Sequence, residues 1–192
     1  MKGWKRGMTF DETGLPWVPP SPNMPTPDTA WVYPGACLIE GTHLSEGRGT
    51  TRPFETLGAP YIKPDELADS LNKDRVAGVI FRACRFEPTF HKFQGRSCGG
   101  VQIHVTDRAR FKPFMTALKL IQRIRELYPD DFAWRDPPYE YETEKLPFDI
   151  LCGTDQIRRA IESGRPLTDL ARSWEPALRL FEKQRQPFLL YN

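Results

Sequence analysis

The chain has 192 residues, of which 39% are hydrophobic and 27% are charged, with a formal net charge of +2. A chain of this length can bury roughly 70% of the surface that its unfolded form exposes, so we expect one domain with its own core. The net charge is close to neutral, and the linear sequence contains no concentrated basic patch of the kind that nucleic-acid binding requires. The sequence also has no apolar run approaching the ~18 residues of a membrane span. We therefore expect no nucleic-acid partner and no membrane span.

The N-terminal segment is unusually rich in proline. Six of the 19 prolines fall in PWVPPSPNMPTP, residues 16–27. This density excludes a helix or a central strand and favours an extended, polyproline-like path. Because Trp17, Val18, Met24 and Trp31 offer apolar anchors, we predict an ordered arm over residues 1–29, followed by a globular part over residues 30–192.

Beyond the arm, helix and strand signals occur in mixed order. Pro64, followed by two acids, is typical of a first helical turn. Alternating or β-branched segments predict strands at 76–86 and 100–107, and apolar stripes predict helices at 111–128, at 156–162 and from 167 onward. Pro176 should kink or restart the last helix, and FLLY (188–191) predicts a short closing strand. Since the order lacks βαβ alternation, we expect an α+β fold with a mixed sheet, flanking helices and the extended arm.

One stretch, IEGTHLSEGRGTTRPFE (residues 39–55), is polar and rich in glycine. Loops on a rigid scaffold often carry function. Arg48 lies between two glycines, which let a ligand approach the backbone, and its guanidinium can pair with a carboxylate or phosphate. Glu40 follows two apolar residues, a position in which partial loss of solvent would favour the protonated form that a general acid needs. The structural alternative is that Glu40 binds the loop's own N–H groups or Arg48.

Common cofactor and metal motifs do not match this sequence. Gly41 and Gly47 are separated by five residues and followed by Arg48, which departs from the Walker phosphate loop. The sequence contains no G-x-S-x-G motif of an α/β-hydrolase. Four cysteines without a C-x-x-C pair, together with three histidines, give no zinc-type spacing. We therefore expect neither a metal ion nor a cofactor.

Several long segments resemble a known family. SPNMPTPDTAWVYPGACLIEGTHLSEGRGTTRPFE, CGGVQIHVTDR and LPFDILCGTD look like the exo-β-N-acetylmuramidase (NamZ-type) glycosidases, and the resemblance covers essentially the whole chain. It implies a hydrolase of cell-wall turnover that removes terminal N-acetylmuramic acid from the non-reducing end of peptidoglycan fragments. It also implies an N-terminal Rossmann-like domain and a C-terminal domain with the active cleft between them. Residues 1–192 would be the C-terminal domain, and the enzyme would be exported to the periplasm or the cell exterior.

The resemblance also suggests where the site lies. The catalytic carboxylates are expected in the absent N-terminal domain, so this chain alone should be inactive, with Glu40 as the fallback catalyst. Arg48 is suited to the lactyl carboxylate of muramic acid. At position 43 the family usually carries Asn where this chain has His, so the role of that amide is not carried over. The expected substrate-binding residues are Asn23, Glu40, Thr42, His43, Ser45, Arg48, Gly49 and Thr50.

Two other functions remain open at the level of sequence. The chain could be a non-catalytic carbohydrate- or anion-binding module. It could instead be a complete small hydrolase that uses Glu40 as its general acid. A glycosidase needs two carboxylates at a suitable separation, and the sequence does not determine the distance between Glu40 and Glu46.

Overall fold

The computed structural model describes residues 2–191. Within them the helices and strands follow in the order α1 (Pro27–Ala36), β1 (Thr56–Ala59), α2 (Pro64–Lys73), β2 (Val79–Phe86), β3 (Cys98–Val105), α3 (Pro113–Leu127), α4 (Pro147–Cys152), α5 (Gln156–Glu162) and α6 (Leu167–Arg185). Short 3₁₀ helices lie at Asp11–Thr13, Cys37–Gly41 and Gln186–Phe188.

The three strands form one sheet in the order β1-β3-β2. Leu57 of β1 pairs with Val101 of β3, and Phe81 of β2 pairs with Ile103 of β3. All four of these side chains are buried, so they place one sheet face against the core. The α+β class is confirmed, and the sheet, which was expected to be mixed, is antiparallel in both of its pairs.

Helices cover the sheet and continue the core. The α2 side chain of Asn72 donates to the Phe81 carbonyl at 2.7 Å and accepts from the Phe81 N–H at 3.0 Å, which covers the outer edge of β2. The buried stripe of α3 includes Leu118, Ile121 and Ile124, as its apolar periodicity predicted. The core therefore lies between the sheet, α1, α2 and α3, and α4–α6 extend it at one end.

The proline-rich arm is ordered and anchored. Residues 14–26 contain no helix or strand, as the proline density predicted, and a turn lies at residues 21–24. The extended, polyproline-like path stays a prediction, and Val18, expected as an anchor, is 77% exposed. The Trp17 indole donates to the Met24 carbonyl at 3.1 Å and meets the Phe10 ring edge-on. The helix α1 begins at Pro27, inside the span 1–29 assigned to the arm, because the Thr26 hydroxyl accepts from the N–H of Thr29 at its first turn.

One of the predicted chain features is wrong, and a second is wrong in part. Residues 188–191 form no strand, since a 3₁₀ helix runs to Phe188 and the next residues are irregular. The helix α6 passes through Pro176 without ending, so the expected restart is wrong, and the expected kink stays a prediction. Pro176 is exposed and is the tenth residue of α6. Leu167 and Leu170, in the first turns before it, already pack the helix against the core.

Candidate functional site

The candidate site begins where α1 ends in the 3₁₀ helix Cys37–Gly41. This turn places the Glu40 side chain at the surface and buries Ile39. Thr42 fixes the next turn, because its hydroxyl donates to the Ile39 carbonyl at 2.8 Å and accepts from the Leu44 N–H at 3.1 Å. Gly41 packs against the backbone of Phe148, where a Cβ would lie 2.6 Å from the Phe148 Cα.

The following residues are held against the sheet and a neighbouring loop. Ser45 exchanges two backbone hydrogen bonds with Gly58 of β1, at 2.8 and 3.0 Å. The Gly49 carbonyl accepts from both the N–H and the hydroxyl of Thr89, at 3.0 and 2.9 Å. Gly49 has φ +81°, and a Cβ there would lie 2.7 Å from two backbone nitrogens. The loop is therefore tightly packed, and a glycine at this position is required by both conformation and space.

Arg48 joins two carboxylates. Its Nη2 donates to Glu40 Oε1 at 2.9 Å, and its Nε donates to Glu46 Oε1 at 3.0 Å. The Glu46 side chain is completely buried, whereas those of Glu40 and Arg48 are 16% and 25% exposed. Burial disfavours the Arg48 charge, but the two carboxylates outweigh it and raise the pKa of Arg48 above its ordinary value.

Lys92 supplies the second cation beside Glu46. Its Nζ lies 3.0 Å from Glu46 Oε2 and donates to the carbonyls of Ile39 and Leu44 at 3.2 and 2.9 Å. The Glu46 contact has an ion-pair distance, but no donor in the described chain meets Oε2 with hydrogen-bond geometry. The attraction between the two charges accounts for this interaction, since the distance is short and the Glu46 side chain is fully buried. Burial lowers the pKa of Lys92, and the charge of Glu46 opposes that effect.

Tyr139 reaches the site from a distant part of the chain. Its hydroxyl donates to Glu40 Oε2 at 3.2 Å, so each oxygen of Glu40 has a donor. Burial raises the pKa of Tyr139 to about 12, and the Glu40 charge acts in the same direction. Arg135 lies over the Tyr139 ring at 5.5 Å. Glu40 is thus fixed between a guanidinium and a neutral phenol.

A strained residue lies beneath the cluster. Phe54 has φ +63°, which is unusual for a side chain other than glycine, and it is fully buried. Its N–H donates to the Glu46 carbonyl at 2.6 Å, and its ring lies 5.0 Å below the Arg48 guanidinium. Phe54 therefore supports Arg48 from the core side, at a conformational cost of about 1–3 kcal/mol.

The structure separates the predicted site residues into groups. Glu40 and Arg48 are partly exposed and in contact, which is the pairing that the structural alternative described. Thr42 and Ser45 are buried and hold the backbone, whereas His43 is exposed. Gly49 and Thr50 shape the turn, since the Thr50 hydroxyl donates to the Gly47 carbonyl at 2.6 Å.

Asn23 lies in the arm and is half-buried. Its N–H donates to the Ser21 hydroxyl at 3.2 Å, and across residues 2–191 no hydrogen bond or ion pair links it to the loop. Its assignment to the substrate-binding set stays a prediction, as do those of the other residues.

Sequence reasoning missed Lys92, Tyr139 and His91, whose Nδ1 lies 3.3 Å from Glu46 Oε1. They are 46, 93 and 45 residues from Glu46 along the chain, so no local spacing could connect them. It also missed Glu55, a buried carboxylate that accepts from the Thr29 hydroxyl at 2.7 Å.

Two kinds of feature are absent from residues 2–191. Within them no group of three or more His, Cys, Asp or Glu side chains is placed to hold a metal ion. No helix in the same span is long and apolar enough to cross a membrane.

Solved structures share this architecture. A DUF1343 family protein from Bacteroides fragilis is 29% identical, with a TM-score of 0.84 over 99% of this chain and 49% of its own. A second DUF1343 family protein from that organism is 25% identical, with a TM-score of 0.60 over 91% of this chain and 44% of its own. The chain therefore has the fold of about half of a DUF1343 protein.

Sequence comparison narrows this class to a family. Residues 31–191 match the family described as exo-beta-N-acetylmuramidase NamZ, C-terminal, and residues 1–28 match the corresponding N-terminal family. The chain belongs to the NamZ C-terminal family. The peptidoglycan beta-N-acetylmuramidase NamZ of Bacillus subtilis (strain 168) is 49% identical over 191 residues, which are 100% of this chain and 44% of the relative. The chain thus spans less than half the length of that relative.

Proposed function

We propose that this chain forms the C-terminal wall of the substrate cleft in an exo-acting glycoside hydrolase. The substrate would be the non-reducing terminal N-acetylmuramic acid of peptidoglycan fragments, and the setting would be cell-wall turnover outside the cytoplasm. The observation that carries the proposal is the fixed, partly exposed Glu40–Arg48–Tyr139 cluster, which lies within the part of the chain that matches the family.

The carboxylate geometry supports a wall without its own catalytic pair. In glycosidases the two carboxyl groups flank the scissile bond, with roughly 5–9.5 Å between them. Glu46 cannot reach a substrate because its side chain is fully buried behind Arg48. Both oxygens of Glu40 are already bound, one by Arg48 and one by Tyr139. The catalytic carboxylates therefore belong to the N-terminal domain under this proposal.

Arg48 is the proposed contact to the lactyl carboxylate. Two of its nitrogens, Nε and Nη2, bind Glu46 and Glu40. No hydrogen bond of the third nitrogen, Nη1, is found in the part of the chain that the structure describes. The Arg48 side chain is 25% exposed, and two carboxylates already hold its guanidinium in place, so Nη1 is preorganised for an incoming anion. The remaining residues of the set would shape the surface around it.

The test supplies the missing half. The chain is assayed on a chromogenic β-N-acetylmuramide, alone and with the N-terminal domain of the Bacillus subtilis relative, which is 49% identical to this chain over 191 residues. We expect no release of muramic acid by the chain alone, and release by the combination. Turnover by the chain alone that is lost in Glu40→Gln would overturn the proposal and favour the complete small hydrolase. Saccharide binding without turnover in the combination would favour a non-catalytic binding module.

A further inference from the structure

The helix α6 carries one continuous apolar stripe, and only its first half is covered. Leu167 and Leu170 are buried, and Trp174 packs edge-on against α3 at 5.8 Å. At the same helical spacing the stripe continues with Leu178 and Phe181, which are 56% and 59% exposed. Residues three and four apart lie on one face of a helix. The face that binds the core in the first turns therefore runs on into solvent.

The residues that follow α6 add further exposed apolar side chains. Phe188 and Leu190, which follow α6, are also strongly exposed. The ion pair between Arg179 and Glu175, at 3.2 Å, involves two strongly exposed side chains of the same helix. Contiguous exposed apolar surface with a polar border is typical of a protein interaction site. The end of α6 thus presents an amphipathic helix face, with its apolar side open in the described chain.

The position of this face indicates what covers it. The Trp4 ring meets the Tyr191 ring edge-on with 4.8 Å between centroids, so the first and last parts of the described chain lie together. Residues 1–28 match the N-terminal NamZ family. The DUF1343 protein with the higher TM-score has about half of its chain outside the matched region. A residue matched by the N-terminal family therefore contacts Tyr191, which follows the exposed end of α6 by six residues.

We propose that Leu178 and Phe181, the exposed half of the α6 stripe, form the docking surface for a domain of the N-terminal NamZ family. This inference rests on the two-part organisation proposed above. The docked domain must present an apolar surface, since an apolar stripe is stabilised by loss of contact with water rather than by charge. Docking there would tie the two halves together at α6 and leave the Glu40–Arg48–Tyr139 cluster free to face the substrate.

A matched pair of variants tests the stripe. Leu178→Glu with Phe181→Glu disrupts it, and Leu180→Glu is the control, because Leu180 is equally exposed at 57% but lies about 120° from the stripe around the helix. Binding of the N-terminal domain of the Bacillus subtilis relative is measured by calorimetry. We expect the stripe variant to bind about 100-fold more weakly, given the worth of two buried apolar side chains, and the control to bind within about threefold.

A second measurement keeps a weak interaction testable. The N-terminal domain is fused before residue 1, and amide hydrogen exchange over residues 174–185 is compared with that of the isolated chain. We expect slower exchange in the fusion, lost in the stripe variant and kept in the control. Equal exchange with and without the domain would overturn the inference, as would equal effects of the two variants.

Self-association is the competing outcome. If the isolated chain dimerises, and the stripe variant abolishes the dimer while domain binding is unchanged, the stripe is a contact between copies and the inference is wrong. Muramic-acid release is not the readout, so a failure of the proposed activity would leave these binding results standing.

Discussion

The buried ion pair between Lys92 and Glu46 gives the sharpest stability prediction. Glu46 is fully buried and Lys92 is 14% exposed, and Nζ also holds the carbonyls of Ile39 and Leu44 on either side of Glu40. Replacing Lys92 by Met keeps most of the apolar stem and removes the charge and its donors. Glu46 would then depend on Arg48 and on His91, which is more exposed.

The expected loss follows from these contacts. Removing one partner of a buried ion pair typically costs about 3–5 kcal/mol, because the other charge stays buried. Arg48 still neutralises part of the Glu46 charge, which favours the lower end. Two carbonyls also lose a donor, at about 1 kcal/mol each. We therefore expect Lys92→Met to lower the free energy of unfolding by about 3–5 kcal/mol, and Tm by roughly 6–20 °C for a chain of this size.

Urea unfolding followed by circular dichroism measures this loss. Lys119→Met is the control, because Lys119 binds Asp74 at 3.0 Å with both side chains more exposed, and such surface pairs contribute about 0–1 kcal/mol. In a double-mutant cycle, Lys92→Met should cost at least about 1 kcal/mol less in a Glu46→Gln background, where no buried charge is left. If the Lys92 and Lys119 variants lose the same stability, or if the cycle shows no coupling, the buried pair does not hold the site.

Three further predictions concern Gly49, Arg48 and Tyr139 of the candidate site. Gly49→Ala should lower the free energy of unfolding by about 2–3 kcal/mol, because φ is +81° and the new Cβ would meet the Phe90 backbone. Thermal melts compare this variant with Gly153→Ala, where φ is +71° but the space around a new Cβ is open. Gly153→Ala should cost only about 1 kcal/mol, and equal losses in the two variants would contradict the packing argument. In the two-part enzyme, Arg48→Lys should cost about 1.5–3 kcal/mol in kcat/KM on muramic substrates and spare glucosamine ones. Equal losses on both, with a lower Tm, would mean that Arg48 is only structural. The folded chain keeps the Tyr139 proton up to pH of about 12, whereas the unfolded chain releases it near 10, so stability falls as the pH rises through this window. Tyr139→Phe should therefore lose less stability than the wild type between pH 9 and 11, and an unchanged slope would refute this assignment.

The local signals that predicted the fold correctly were strong and short in range. Pro64 with two acids defined the start of α2, and the alternation over 100–107 identified most of β3. The start of α1 was missed although Thr26-Pro27-Asp28 is a typical helix entry. The dense prolines before Pro27 favoured an extended path over a helix, and a further proline, Pro34, lies inside α1. The strand β1 is four buried residues long and contains a glycine, too short for alternation to show.

The candidate site, too, was predicted from the sequence only in part. The sequence alone identified the loop 39–55 and the possible pairing of Glu40 with Arg48, because glycine, charge and chain proximity are visible in one segment. It could not identify Lys92 or Tyr139, since contacts of a charged side chain depend on distance in space and not on distance along the chain. Nor could it show that Glu46 is inaccessible, because the same acid in the same loop would be a candidate catalyst if it faced water.

The sequence by itself thus determined the family and the α+β class, and it pointed to the loop that carries the candidate site. Only the tertiary structure decided which side chains of that loop are exposed to solvent and which are buried inside it. The physical reason is that local propensity acts over a few residues, whereas the roles of Glu46, Lys92 and Tyr139 arise from burial and from contacts between segments up to 99 residues apart. The exposed half of α6 follows the same rule, because its periodicity predicts an apolar face and only the packing shows that the face is still open.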